Sequence, residues 1–251
     1  MFPLSPTPTK VLFPKVTRLK VVEVEDLRSK EFEEQLKDFD IDLFVVVAFR
    51  ILPKNILEIP KIGSINLHAS LLPKYRGAAP IHWAIINGEE ETGCTIFFLD
   101  EKVDTGNIVL QHKVSIKDNE TTGELYSKLM STGSTQLLKA IDIIDSGNYK
   151  LESQDDSKAT PAPKLFNENT YIDFNQPAKE VHNFIRGLNP FPVAWTTLND
   201  EKVKIFRSQM GPLKNIDAGE LVALDGKLLV GCREGTIEVL ELQMPGKKRM
   251  S

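Results

Sequence analysis

The chain has 251 residues, of which 41% are hydrophobic and 26% charged, and its formal net charge is -4. This is the balance of a globular protein with enough apolar material for one large domain or two smaller ones. The weak negative charge excludes nucleic-acid binding through overall basicity, so any such surface must be local. No apolar run is long enough to cross a bilayer and no segment has the pattern of a signal peptide, which predicts a cytoplasmic protein.

The first part of the chain predicts an alternation of helices and strands. Residues 2–8 contain three prolines and favour neither a helix nor a central strand. Residues 31–38 predict a short charged helix, and the β-branched and aromatic run at 43–49 predicts a parallel strand buried on both faces. A short helix and two further strands are predicted at 55–57, 64–68 and 94–99.

A long helix closes this first part. Thr121 and Glu124 have the spacing of a capping box at its start, and Gly147 marks its end. The apolar stripe of this helix consists of Leu125, Leu129, Leu137, Leu138, Ile141 and Ile144. Together, these elements predict an α/β domain with an open, mostly parallel sheet of the Rossmann-like type.

The composition changes in the second part. Residues 153–164 are rich in Asp, Ser, Thr and Pro, which is typical of a linker. A helix is predicted at 177–186 with Gly187 beyond its end, and Asp225-Gly226 predicts a tight hairpin turn. Short strands around this turn predict a small β-barrel similar to an OB fold. The predicted organisation is therefore a catalytic domain at 1–149, a linker at 150–168 and a barrel domain at 169–251.

Three polar residues stand where predicted strands end. Asn66 and His68 are two positions apart, so on a strand they point to the same face. Asp104 follows the strand predicted at 94–99. Ligands of open α/β sheets bind at the carboxyl ends of strands, where an amide and an imidazole can stabilise developing negative charge and a carboxylate can move a proton. Taken singly, each residue is more often a turn former or a hydrogen-bonded structural residue.

The other reactive side chains are predicted to be structural. Cys94 and Cys232 lie far apart within apolar runs, which favours core packing over a disulfide or a metal site. His82, His112 and His182 have no setting comparable to that of the three polar residues. No spacing of ligands indicates a metal.

A long motif resembles the signature of a known family. Residues 66–73 are Asn-Leu-His-Ala-Ser-Leu-Leu-Pro, and residues 75–80 are Tyr-Arg-Gly-Ala-Ala-Pro. This run is similar to that of the folate-dependent formyltransferases, and Asp104-Thr105-Gly106 stands at the position of the family's aspartate. The continuation at 76–80 resembles the branch that formylates methionyl-tRNA, and residues 189–195 resemble the start of that branch's C-terminal domain.

The resemblance implies a reaction and a site. Asn66 and His68 would bind and polarise the formyl group, and Asp104 would assist proton transfer. The implied formyl donor is 10-formyltetrahydrofolate, with no metal. The implied acceptor is the methionine amino group on initiator tRNA, which the domain at 169–251 would bind, and we expect the chain to act as a monomer. The folate pocket would be lined by Ser70, Leu71, Leu72 and Pro73.

The resemblance is incomplete at both ends. The family's first β-α-β unit and a short C-terminal segment have no counterpart here, so we expect this chain to be less stable and less active than a longer one. Two alternatives stay open. The same trio of side chains could formylate a ribonucleotide or an amino sugar, or hydrolyse formyl-folate, although the second domain argues against a ribonucleotide enzyme. The other alternative is a non-catalytic RNA-binding or interaction protein.

Overall fold

The computed structural model describes residues 22–47, 51–212 and 215–251. The proline-rich segment at 2–8 and the end of the predicted strand, at 48–49, lie outside these residues. Among the described residues, no helix combines the length and the apolar character that a membrane span needs.

A four-stranded mixed sheet forms the first unit. Strand β1 (Leu43–Val46) runs parallel to β2 (Gly63–His68), and β4 (Glu91–Phe98) pairs antiparallel with β2 and with β5 (Ile108–Ser115). The α/β class is confirmed, but of these three pairings only β1–β2 is parallel. The short connection between β4 and β5 returns the chain as a hairpin, which explains why this pair is antiparallel, since parallel neighbours need a longer crossover. The β2–β4 pair is antiparallel although residues 69–90 separate its two strands.

The first strand is shorter and more exposed than its sequence predicts. Helices α1 (Lys30–Lys37) and α2 (Lys54–Leu57) lie on either side of it in the chain. Helix α1 begins after Ser29, whose hydroxyl accepts the N–H of Phe32 at 3.2 Å. Val45 is 43% exposed, so the prediction of burial on both faces is wrong at this residue. A β-branched run favours extended backbone whether or not both faces are covered.

Helix α4 (Thr122–Asp145) covers one face of β2. Ile65 is fully buried in a cluster that includes residues of α4, and Leu67 packs at the edge of the same cluster. Asn66 and His68 alternate with these two residues, so they point to the opposite face of the sheet. The helix thereby fixes which face of β2 carries the polar pair.

The start of α4 is as predicted. Thr121 Oγ1 accepts the N–H of Glu124 at 3.3 Å, and the Glu124 carboxylate accepts the N–H of Thr121 at 2.8 Å, so the capping box is confirmed. The predicted stripe is buried at Leu125 and Leu129, but Leu138 is exposed. Leu138 follows the partly buried Leu137 by one position, which turns its side chain away from the sheet.

The predicted linker is bonded to the first unit. Its strand β6 (Pro161–Ala162) pairs in parallel with β3 (Arg76–Gly77). Glu152 exchanges two backbone hydrogen bonds with Ile108, at 2.8 and 3.0 Å. Its Asp and Ser residues stabilise local turns, as Asp155 does by accepting the N–H of Ser157. We call residues 152–162 the connector, and the division of the chain at 149 and 169 stays a prediction.

The second unit is a five-stranded antiparallel sheet. Asp225 and Gly226 have φ angles of 50° and 76°, and they join the two strands of the predicted hairpin, which is confirmed. The predicted C-terminal β domain is confirmed as an antiparallel sheet, and Tyr171 forms a further bridge to Trp195 outside the five strands. In sheet order, the strands are β7 (Ala194–Leu198), β8 (Glu201–Met210), β11 (Thr236–Gln243), β10 (Lys227–Gly231) and β9 (Leu221–Leu224).

Helix α5 (Ala178–Gly187) joins the two units. Its buried face packs on the second sheet, and it also packs against α3 (Pro80–Ile86). Gly187 is the last residue of the helix and not, as predicted, the residue beyond its end. A Cβ at this position would stand 2.6 Å from Ile86 Cγ1. The glycine therefore permits the close approach of the two helices.

Candidate active site

The structure brings His68 and Asp104 together. His68 Nδ1 lies 3.7 Å from Asp104 Oδ2, and the two residues are only 6% and 9% exposed. The distance is too long for a direct hydrogen bond, so the imidazole and the carboxylate lie side by side in a buried site. His68 Nε2 lies 2.9 Å from the carbonyl oxygen of Tyr75, which can only accept, so Nε2 carries a proton. The other ring nitrogen, Nδ1, is the one that faces Asp104.

Tyr75 is itself held firmly, which fixes the acceptor of the His68 ring. Its backbone has a φ of 62°, and its N–H donates to Thr160 Oγ1 at 2.9 Å. Its hydroxyl donates to Glu89 Oε1 at 2.8 Å. Burial raises the pKa of Tyr75 to about 12, so this hydroxyl stays protonated and keeps its role as a donor.

The Asp104 side chain is held by the loop that follows β2. The N–H of Gly77 donates to Asp104 Oδ2 at 2.8 Å. Asp104 has a φ of 56°, in the left-handed region that aspartate tolerates better than most residues. Two positions on, a Cβ at Gly106 would stand 1.7 Å from the carbonyl oxygen of Phe98, so only glycine fits there. The sequence Asp104-Thr105-Gly106 thus builds a tight turn that presents one carboxylate.

Asn66 lies on the same face of β2 as His68. It is aligned with Val46 on one side and with Phe97 on the other. Its Oδ1 is buried and has no hydrogen-bond partner among the described residues. A buried acceptor without a partner is uncommon in folded proteins, because it loses its bonds to water without compensation. The vacant bond is suited to a donor from a bound ligand.

The predicted pocket-lining residues make mainly internal bonds. Ser70 is fully buried, and its hydroxyl donates to the carbonyl of Lys74 at 2.6 Å. The N–H of Leu72 donates to Thr95 Oγ1 at 3.1 Å, and Thr95 in turn donates to the carbonyl of Ser70 at 2.7 Å. Leu71 and Pro73 are half-buried. Ser70 and Leu72 therefore shape the loop, and contact of these four residues with a folate stays a prediction.

Steric contact with the connector explains why residue 77 is a glycine. Gly77 has a φ of 125°, and a Cβ there would stand 2.7 Å from the carbonyl oxygen of Ala162. The same carbonyl oxygen accepts the N–H groups of Ala78 and Ala79 at 2.8 and 3.1 Å. A glycine is thus required where the loop passes the connector. This close approach places the Gly77 N–H against Asp104.

Sequence reasoning missed the residues that hold the Asp104 loop from the other side. Gln154 Nε2 donates to the carbonyl oxygens of Asp104 and Gly106, each at 2.9 Å. Arg76 donates to Gln154 Oε1 and to Asp156 Oδ1. Gln154 lies in a run that reads as a linker, and no local pattern distinguishes it from a solvated residue.

The residues predicted to be structural lie outside this cluster. Cys94 and Cys232 are buried, as predicted, and burial raises the pKa of both thiols, which keeps them protonated. His182 Nδ1 lies 3.0 Å from Ser208 Oγ, and His82 Nε2 lies 3.1 Å from a backbone carbonyl. The described residues contain no group of His, Cys, Asp and Glu side chains that could hold a metal ion.

Two family models match nearly the whole chain. The model described as formyl transferase matches residues 6–141, and the model described as formyl transferase, C-terminal domain, matches residues 164–251. The chain belongs to the formyl transferase family. The family predicted from the motif at 66–80 is thereby confirmed.

Named relatives of this formyl transferase share most of its length. A Bacteroides fragilis protein named methionyl-tRNA formyltransferase is 43% identical over 93% of this chain and 75% of its own length. The protein of that name from Chlorobium luteolum is 44% identical over 98% of this chain and 79% of its own length. The solved structure of an N-formyltransferase from Helicobacter canadensis, in complex with folinic acid and dTDP-3-aminofucose, has a TM-score of 0.63 at 27% identity and covers 78% of this chain and 70% of its own.

Proposed function

We propose that this formyl transferase moves the formyl group of 10-formyltetrahydrofolate to the α-amino group of methionine on initiator tRNA, for translation initiation. The observation that carries the proposal is the buried pair of His68 and Asp104, with Asn66 on the same face of β2 as His68. The choice of acceptor is supported by the relatives named methionyl-tRNA formyltransferase and by the match to a C-terminal formyl transferase domain.

The proposed chemistry needs an amide, an imidazole and a carboxylate. The neutral amine attacks the formyl carbon, and the electrons of the C=O bond move to oxygen. The side-chain N–H of Asn66 and an N–H at His68 Nδ1 would donate hydrogen bonds to that oxyanion, since His68 Nε2 is already bonded to the Tyr75 carbonyl. One such donor is worth roughly 3–4 kcal/mol of barrier. The bond from the formyl carbon to N10 of the folate then breaks, and the proton lost by the amine goes to N10, with Asp104 assisting the transfer.

The two substrates would approach from different parts of the chain. The folate would bind beside the loop at 70–73, on the face of β2 that α4 does not cover. The tRNA would contact the unit at 169–251. The bulk charge of the chain is negative, so this contact would depend on local groups of lysine and arginine. We expect the chain to act as a cytoplasmic monomer.

An acceptor assay tests the proposal. The chain is incubated with 10-formyltetrahydrofolate labelled in the formyl group and, separately, with methionyl-tRNA, a dTDP-amino sugar, glycinamide ribonucleotide or water. We expect label on methionyl-tRNA alone, and we expect its loss in His68→Ala. The matched control is His112→Ala, because His112 is exposed and lies outside the site.

Each other outcome would redirect the assignment. Label on the amino sugar would make the chain a sugar formyltransferase, and release of labelled formate would make it a formyl-folate hydrolase. If no acceptor is labelled while labelled folate and tRNA still bind, the chain is a binding protein with the fold of a transferase.

A further inference from the structure

The connector touches both loops of the candidate site. Toward the loop after β2, Thr160 accepts the N–H of Arg76 at 2.9 Å through its carbonyl oxygen. On the other side, Glu152 exchanges backbone hydrogen bonds with Ile108, the first residue of β5, and Gln154 bonds to the Asp104 turn in the loop before that strand. The segment predicted as a linker is therefore hydrogen-bonded to both loops that carry the candidate site.

All hydrogen-bonding capacity of the Gln154 amide is used. Its two N–H groups donate to the carbonyl oxygens of Asp104 and Gly106, each at 2.9 Å. Its oxygen accepts two bonds from Arg76, at 3.1 Å from Nε and 2.7 Å from Nη2. Carbonyl oxygens only accept and a guanidinium only donates, so the orientation of the amide is unambiguous. No other side chain of this length offers both functions.

We propose that Gln154 is a positioning residue for the proposed formyl transfer. Its amide holds the backbone on both sides of Thr105, and it thereby sets where the Asp104 carboxylate stands relative to His68. The catalytic part of this role rests on the proposed function. Arg76 fixes the amide from behind, through a side chain that is itself largely buried.

The Asp104 turn needs such support. Asp104 adopts a left-handed backbone conformation, which aspartate tolerates better than most residues but which its surroundings must still hold. The Asp104 carboxylate accepts the backbone N–H of Gly77. The backbone carbonyl oxygens of Asp104 and Gly106 both accept from the Gln154 side chain. Loss of these two bonds would let the carboxylate move away from His68. A misplacement of about 1 Å can cost roughly 10²-fold in rate.

Two variants distinguish the two roles of Gln154, which are to hold the Asp104 turn and to accept hydrogen bonds from Arg76. Gln154→Glu keeps an acceptor for Arg76 but sets a carboxylate oxygen against two carbonyl oxygens. Gln154→Met removes both functions at similar volume. The matched control is Asp156→Asn, because Asp156 is the exposed second partner of the same guanidinium. The full chain is used, and kcat, the KM for each substrate, the melting temperature and the ring ¹⁵N resonances of His68 are measured.

We expect both Gln154 variants to lower kcat by about 10-fold to 10²-fold, with the KM values unchanged. We also expect them to shift the His68 ring resonances at neutral pH, because the carboxylate beside the ring has moved. Asp156→Asn should change neither. If Gln154→Glu keeps the wild-type kcat while Gln154→Met loses it, support of Arg76 matters and the proposal is overturned. A drop in melting temperature with unchanged kcat and resonances would also overturn it.

The resonances keep this test separate from that of the proposed function, since they require no turnover. If the wild-type chain labels no acceptor but Gln154→Glu shifts the His68 resonances, the proposed function fails and the positioning of Asp104 stands. If the wild-type chain formylates methionyl-tRNA and Gln154→Glu behaves like it in every measurement, the proposed function stands and the positioning role is wrong.

Discussion

Thr122 Oγ1 donates a hydrogen bond of 2.7 Å to the carbonyl oxygen of Gly187, and so joins the first turn of α4 to the last turn of α5. Beside it, the N–H of Gly123 donates to the carbonyl oxygen of Asn189 at 3.0 Å. Arg186, which is buried, donates to the carbonyl oxygen of Glu120 at 2.9 Å. The two units are thus tied by bonds out of reach of water, which are worth more than exposed ones.

Thr122→Val tests this tie. Valine has nearly the same shape as threonine, but it leaves the carbonyl of Gly187 without its donor inside the protein. We expect the free energy of unfolding to fall by about 1–3 kcal/mol. Ser127→Ala is the control, because the Ser127 hydroxyl bonds to a carbonyl on the exposed side of the same helix. Its effect should stay within about 0.5 kcal/mol. Equal losses of stability in urea unfolding would show that the bond between Thr122 and Gly187 contributes no more than an exposed one.

Asp104→Asn and His68→Ala test the catalytic pair. Asparagine still accepts the N–H of Gly77 through its amide oxygen, so the turn should survive while the charge is lost. We expect each variant to reduce formyl transfer about 10²-fold to 10⁴-fold, with little change in melting temperature. Single-turnover rates with methionyl-tRNA are the measurement. Near-normal turnover in His68→Ala would remove His68 from the mechanism.

Gly77→Ala tests the close passage of the loop and the connector. An added Cβ would meet the carbonyl oxygen of Ala162, and the φ of 125° is unsuited to alanine. Gly147→Ala is the matched control, since Gly147 also has a positive φ, of 66°, but has open space around its Cα. We expect Gly147→Ala to cost about 1–2 kcal/mol of stability with kcat unchanged. Gly77→Ala should cost more stability and also lower kcat, because its N–H holds Asp104.

Glu124 should make the free energy of unfolding depend on pH in the acid range. The N–H of Thr121, followed by Arg207, lowers the pKa of Glu124 from 4.5 to about 2. A lowered pKa means that the folded state favours the charged form. Its contribution to stability is therefore fully present above pH 4.5 and is lost as the pH falls toward 2. The side chain is half-exposed, so screening keeps the contribution of Arg207 small.

Glu124→Gln isolates this effect, because glutamine can still complete the capping box without the charge. We expect the variant to be less stable than wild type near neutral pH by about 0.3–1 kcal/mol, and we expect the difference to shrink as the pH is lowered. Urea unfolding across this pH range is the measurement. A difference that stays constant down to acid pH would mean that the charge of Glu124 does not contribute.

The sequence predicted the shared face of Asn66 and His68 better than it predicted the directions of the strands. Asn66 and His68 lie two positions apart on β2, and strand periodicity alone places both side chains on one face of the sheet. The turn at Asp225-Gly226 was equally predictable from the sequence, because a turn with two adjacent positive φ angles strongly favours this pair of residues. The antiparallel direction of β4 could not be predicted from the sequence, since a run of buried residues is compatible with a parallel or an antiparallel neighbour.

Gln154 shows why the remainder of the site escaped sequence reasoning. Its role depends on two carbonyl groups that lie 50 and 48 positions away in the chain. Backbone carbonyl groups are identical in every residue, so no sequence pattern marks them as partners. The composition around Gln154 predicts turns, and turns are present, as at Asp155. A local pattern can thus be correct while the function of the segment comes from contacts distant in sequence.

The packing of α3 against α5 sets an order of events on the ribosome. Residues through α3 leave the exit tunnel long before α5 has been translated, so the face of α3 around Ile86 emerges with its covering helix still missing. Strand β3 likewise emerges before β6, its partner in pairing. Domains generally fold as units as they are made. Here the nascent chain cannot complete the packing of α3 until the start of the second unit has emerged, and until then the face of α3 around Ile86 stays uncovered.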